Sequence, residues 1–225
     1  MDPLQGYGSQ LAAGFLVTLE LAFVTVLFGI LLGMLAAVVK LSPRPWLSWP
    51  VTLCTNVIRG VPDFLVLLIV FFTLPGLLSS LFGSEVQIGP FAAGVIALSV
   101  VFGAYSSEVF RGAFLAVPKG QLEAANAFGM SPLQSFFRIR LPQAWRFALP
   151  GLNNLWQSLL KDTSLVSVIG LEELLGKAKI GAQVTKQPAL FYLVASLVFL
   201  VMWGISIPIF GALERRAGRG VRPVR

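Results

Sequence analysis

The sequence contains no histidine, a single cysteine (Cys54) and few charges. Only 12% of its 225 residues are charged, about half the share of an ordinary soluble domain. Each shortage excludes something. Without histidine there is no His-based metal site and no Ser-His-Asp triad. One cysteine excludes an internal disulfide and a Cys-x-x-Cys motif. The closest approach to a phosphate-binding loop is GLEELLGKA, Gly170 to Ala178. It has five residues between its glycines instead of four and ends in Ala where Ser or Thr is needed, so no nucleotide site is expected in this chain. The opening stretch MDPLQGYGSQ lacks a basic region, and the apolar run after it is too long for a signal-peptide core. That run is expected to be a retained span.

What is present is apolar. Hydrophobic residues make up 56% of the chain, in several runs of membrane length. The class is therefore an all-α integral membrane protein forming one domain over 1–225. Spans are expected at about 11–39, 51–79, 91–115, 147–169 and 188–213. The net charge of +7 sits in loops and tail, so it speaks for orientation in lipid rather than for nucleic acid. With five spans and the N-terminus outside, Lys40, Arg44, Arg59, Arg111, Lys119, Arg138, Arg140, Arg146, Arg215, Arg216, Arg219, Arg222 and Arg225 fall inside. Lys161, Lys177, Lys179 and Lys186 fall outside. That is 13 of the 17 basic residues inside against 4 outside, as the positive-inside rule requires. The weak fourth span is kept because its removal would put the five tail arginines outside.

Polar residues within the apolar runs are the functional candidates, since a lone charge at mid-bilayer costs about 2.5–3.5 kcal/mol on insertion scales. Glu20 is the only charge of the first span. Gly29 and Gly33 form a GxxxG pair that lets another helix come close. Trp46 and Trp49 suit an interfacial belt. Arg59 and Asp63 are four apart around Pro62 and are expected to pair at the membrane edge, or to serve gating or solute contact. Glu108 and Arg111, three apart, can pair within one helix. In the fourth span Asn153, Gln157 and Lys161, with Asn154, Ser158 and Asp162 one position on, make a polar stripe that lipid will not accept. A short helix is expected within 171–187.

The longest polar stretch runs from Val117 to Gln143. Pro118 suits a first helical turn, QLEAANAF favours helix, and Gly129 is placed for a left-handed cap. Ser131-Pro132-Leu133-Gln134 reads as a capping box. A second short helix is expected to end near Arg140, stopped by Leu141-Pro142. Leu122, Ala125, Phe128, Met130, Leu133, Phe136 and Phe137 give it apolar surface. That surface either fills a groove on another protein or packs on the chain's own spans.

In this stretch Glu123-Ala124-Ala125, three residues, Gly129, nine residues, Ile139, one residue and Leu141-Pro142 resemble the EAA loop of membrane subunits of ATP-binding-cassette importers. IRGVPDFLVLL, GAYSSEVFRGAFLAVPKGQ, RFALPGLNNLWQSLLKDTSLVSVIGLEEL and LERR are similar to the polar amino-acid permease group, in particular the histidine, lysine/arginine/ornithine, arginine and opine permeases. The resemblance implies a type I importer permease fold with five spans in a bacterial inner membrane, and a cytoplasmic C-terminus. It implies that Glu123, Ala124, Ala125, Gly129 and Leu133 dock into an ATPase subunit. The implied partners are a second, similar permease in a heterodimer, two copies of the ATPase, a periplasmic or extracellular solute-binding protein, and lipid. ATP and Mg would be bound by the ATPase, so this chain would be non-catalytic and need no cofactor. For a basic or other polar amino acid or an opine, Asp162 or Glu108 could meet a cationic group. Thr163, Ser164 and Asn154 could meet the amino-acid backbone, and Arg59 is a further solute candidate. The alternative is an ion-coupled secondary transporter or channel using Glu20, Glu108 and Asp162. It leaves the loop motif unexplained, and no internal repeat is evident.

Overall fold

The structure is a computed structural model, described for residue 4 and residues 6–218. The basic tail beyond Gly218, with Arg219, Arg222 and Arg225, lies outside the described residues. Among the described residues nine α-helices follow one another: α1 (Gly8–Lys40), α2 (Pro45–Gly60), α3 (Asp63–Phe82), α4 (Pro90–Ala116), α5 (Lys119–Ala127), α6 (Pro132–Ser135), α7 (Leu141–Asp162), α8 (Leu174–Thr185) and α9 (Pro188–Ala217). A π turn (Phe136–Arg140) precedes α7, and a 3-10 turn (Thr163–Ile169) follows it. Helices α1, α3, α4 and α9 are long and apolar enough to cross a membrane. Helix α7 does not reach that apolarity, because one of its faces carries the polar stripe.

The centre of the bundle is the seam between α1 and α4. A Cβ on Gly29 would stand 2.6 Å from Phe102 Cδ1, and one on Gly103 would stand 2.9 Å from Leu32 Cβ. Only glycine permits that approach, and it brings backbone within reach of side chains. Ser99 and Ser106 hydroxyls donate to the Thr25 and Gly29 carbonyls, each at 3.3 Å. The GxxxG pair thus serves packing within the chain. Leu21, Ala97, Leu98 and Phe102 continue this core towards Trp156 and Leu159 of α7. Trp156 Nε1 donates to Ser206 Oγ of α9 at 2.9 Å, which satisfies a donor that burial would otherwise leave unpaired.

Two expectations about helix ends are corrected. The run 51–79 is two helices, with Val61 extended (φ −97°, ψ 136°) between them. Pro62 disfavours helical geometry in the residue before it, which ends α2 and restarts the chain as α3. Leu141-Pro142 does not stop a helix. The π turn runs straight into α7, whose first turn holds Pro142; the wider turn before it accommodates a residue that has no N–H to donate.

The remaining loop grammar is present. Helix α5 ends before Gly129, which has φ +74°. Ser131 and Gln134 make both bonds of the capping box, at 3.3 and 3.0 Å.

Candidate functional site

Three features deserve description in turn: an acidic cavity, a basic cavity beside it, and the exposed loop formed by α5 and α6. The acidic cavity, about 330 Å³, lies among α3, α4 and α7. It is lined by Asp63, Leu98, Val101, Phe102, Tyr105, Leu155, Ser158, Leu159, Lys161 and Asp162. Asp63 opens α3 because the Val61-Pro62 break releases the chain there. Asp162 closes α7, one turn beyond Ser158 on the same face. Against the one ammonium of Lys161 in the lining, the two carboxylates leave a net negative charge, which favours a cationic guest.

The basic cavity, about 360 Å³, is lined by Lys40, Thr52, Asn56, Arg59, Glu108 and Arg111. Glu108 is spent here. Lys40 Nζ donates to its Oε1 at 2.7 Å and to Ser107 Oγ at 2.8 Å, while Arg111 Nε donates to its Oε2 at 2.8 Å. The Lys40 side chain is 1% exposed, so this pairing is what permits its charge to be buried. Arg59 does not pair with Asp63. The helix break separates them, and the Arg59 guanidinium lies 5.4 Å from the Tyr105 ring centroid. Tyr105 Oη donates to the Arg59 carbonyl at 3.3 Å.

The structure therefore divides the solute candidates. Asp162 and Ser158 share the acidic cavity, while Glu108 and Arg59 line the basic one. Asn154 is exposed on α7 and lines neither cavity. Thr163 is fully buried and donates to the Leu160 carbonyl at 2.8 Å. Ser164 donates to the Lys161 carbonyl at 2.6 Å and lines a separate cavity with Tyr192. Asn153 and Gln157 are joined at 3.0 Å, and Trp203 Nε1 donates to Gln157 Oε1 at 2.8 Å. That row of the stripe is taken by α9. Sequence reasoning missed Tyr105, and it named Asp63 as a partner of Arg59 or a solute contact without placing it beside Asp162. The signal for Asp63 was the proline before it, which marks a fresh helix start.

The α5–α6 loop presents Glu123, Ala124, Gly129 and Leu133 to solvent, with Phe128 87% and Leu133 68% exposed. Ala125 is buried within the loop. The loop is tied to the long helices. Phe136 stacks near Phe114 at the end of α4 (5.7 Å between centroids), and the Arg140 guanidinium lies 5.4 Å from the same Phe114 ring. Gln143 Nε2 donates to Gln121 Oε1 at 2.6 Å. The loop is thus anchored to α4 and α7, which line the acidic cavity together with α3.

Glu173 is a further buried acid, on neither cavity. As N-cap of α8 it accepts from Gly176 N at 2.8 Å, and Thr18 Oγ1 of α1 donates to it at 3.2 Å. Gly14 leaves room for this, since a Cβ there would stand 3.0 Å from the Glu173 backbone. Burial holds the Glu173 carboxyl above the ordinary glutamate value, even against these donors.

A family model described as "binding-protein-dependent transport system inner membrane component" matches residues 29–219. The chain is 47% identical to the nopaline transport system permease protein NocQ of Agrobacterium fabrum, over 96% of this chain and 94% of that one. It is 41% identical to the histidine/lysine/arginine/ornithine transport system permease protein HisQ of Salmonella typhimurium, over 97% and 98%. Among solved structures, an amino acid ABC transporter with histidines superposes with a TM-score of 0.80 at 32% identity, covering 93% of this chain and 95% of that one. The inward-facing MetNI methionine ABC transporter superposes at 0.78 with 21% identity, over 97% and 100%. At that identity the likeness is one of fold.

Proposed function

The chain belongs to the family of binding-protein-dependent transport system inner membrane components, and we propose that it moves a cationic amino acid or opine through the acidic cavity. It is a permease subunit of an amino-acid-type ATP-binding-cassette importer. The observation that carries the choice of solute is the placing of Asp63 and Asp162 on one cavity. HisQ is named for histidine, lysine, arginine and ornithine, which agrees with a cationic guest.

The α5–α6 loop is cytoplasmic and docks into a separate ATPase subunit through Glu123, Ala124, Gly129 and Leu133, with Phe128 adding apolar area. ATP and Mg act on that subunit. The chain crosses the membrane five times, α7 making the fourth crossing with its stripe turned from lipid, and it pairs with a second, similar permease. A solute-binding protein delivers the solute from outside. When the ATPases close, the loop moves with them, and the ties at Phe114 and Gln121 carry the motion into α4 and α7. ATP drives the change only by favouring one arrangement of these helices over another. An ion path is the poorer reading, because Glu108, one of its three acids, has both oxygens engaged.

The test is reconstitution of the permease pair with its ATPases in liposomes. Uptake of labelled arginine should require both ATP and the solute-binding protein. Uptake driven by an ion gradient without ATP would overturn the reading.

A further inference from the structure

The basic cavity lies farther along α4 than the acidic one. Phe102 and Tyr105 line the acidic cavity, Glu108 and Arg111 the basic one. Tyr105 and Glu108 lie three residues apart on α4, one on each cavity, so neighbouring positions of one helix line both. Lys40, Arg59 and Arg111 stand against Glu108 alone in the lining. Pairing does not remove the surplus, because Glu108 has one oxygen for Lys40 and one for Arg111. Arg59 has no acidic partner among the described residues.

Arg59 is nonetheless held. Tyr105 offers its ring to the guanidinium and its hydroxyl to the Arg59 carbonyl. A ring against the guanidinium leaves its N–H donors directed along the edges, where a carboxylate can take two at once. Asn56, three residues earlier on α2, brings amide donors to the same cavity. Tyr105 lines the acidic cavity as well, so it stands between the acidic and the basic lining.

Resting on the cationic-amino-acid reading above, we propose that the basic cavity is a carboxylate site. Arg59, steadied by Tyr105 and joined by Asn56, holds the α-carboxylate of the solute, while Asp63 and Asp162 receive its cationic groups. Charge order along α4 then selects a zwitterionic guest with an extra positive charge and excludes a simple polyamine.

The test uses the assembled permease–ATPase complex without the solute-binding protein, and equilibrium binding of two probes. L-arginine carries the carboxylate; agmatine keeps both cationic groups and lacks it. The wild type should bind arginine about tenfold or more tightly than agmatine, as a charge-assisted bidentate contact warrants. Arg59→Gln should bring arginine down to the agmatine level without weakening agmatine binding, which also reports a folded complex. Should Arg59→Gln not assemble, Arg59→Lys serves, with the arginine preference expected to drop about threefold or more on loss of the planar fork. An arginine-to-agmatine ratio unchanged by either variant, or a wild type that does not distinguish the probes, overturns the proposal. Asp162→Asn should weaken both probes alike. If it weakens neither, the acidic-cavity reading fails while the Arg59 ratio is judged separately.

Discussion

Lys40 Nζ lies 2.7 Å from Glu108 Oε1, and the Lys40 side chain is 1% exposed. The pair joins the end of α1 to the middle of α4. Removing one partner strands the other. Glu108→Ala should destabilise the protein by about 3 kcal/mol, the lower end for a buried pair because Glu108 remains partly exposed. The double variant Lys40→Met/Glu108→Leu should recover most of that loss, since apolar replacement of both charges is often neutral. Thermal melting of the purified complex reads both. Equal loss in the single and double variants would show that the pair is not the source.

Gly129 stands at φ +74° with open space around it. A side chain there meets no atom, but a β-branched residue cannot adopt the left-handed turn without strain of about 1–3 kcal/mol. Gly129→Val should therefore turn the loop and uncouple transport, lowering uptake at least tenfold while membrane insertion is retained. Gly129→Asn should be milder, because asparagine tolerates this region. Uptake and membrane-fraction blots on both variants separate coupling from insertion.

Glu173 sets a pH dependence with a definite sign. Its carboxyl is raised by burial, so the folded state favours the protonated form. Its contribution to stability is complete below the unfolded value and is lost as pH rises through the raised folded value. Glu173→Gln stays uncharged. Its melting temperature should fall less than that of the wild type as pH is raised from the ordinary glutamate range. A parallel decline in both would contradict the assignment.

The long apolar helices were legible because their hydropathy is sustained over 20 residues or more, and the α5–α6 loop because proline, glycine and the Ser131–Gln134 box act locally. The cavities were less legible. Asp162 was found from its stripe, since period is visible along one helix. Asp63 was read beside Arg59 and not beside Asp162, because their meeting depends on how α3 packs near α7. The Glu108–Arg111 pair was legible from its spacing, but Glu108 was kept as a solute candidate because its second partner, Lys40, lies 68 residues away. Thr163 sits next to Asp162 in sequence yet points inward, because the 3-10 turn after α7 rotates it away.

The most direct measurement is on Asp162→Asn in the reconstituted transporter. ATP-driven arginine uptake and the solute-stimulated part of ATP hydrolysis should both fall by about tenfold or more, as expected when a bound cation loses a half-buried carboxylate partner. Basal hydrolysis should remain. Unchanged uptake together with unchanged stimulation would contradict an acidic solute cavity at Asp162.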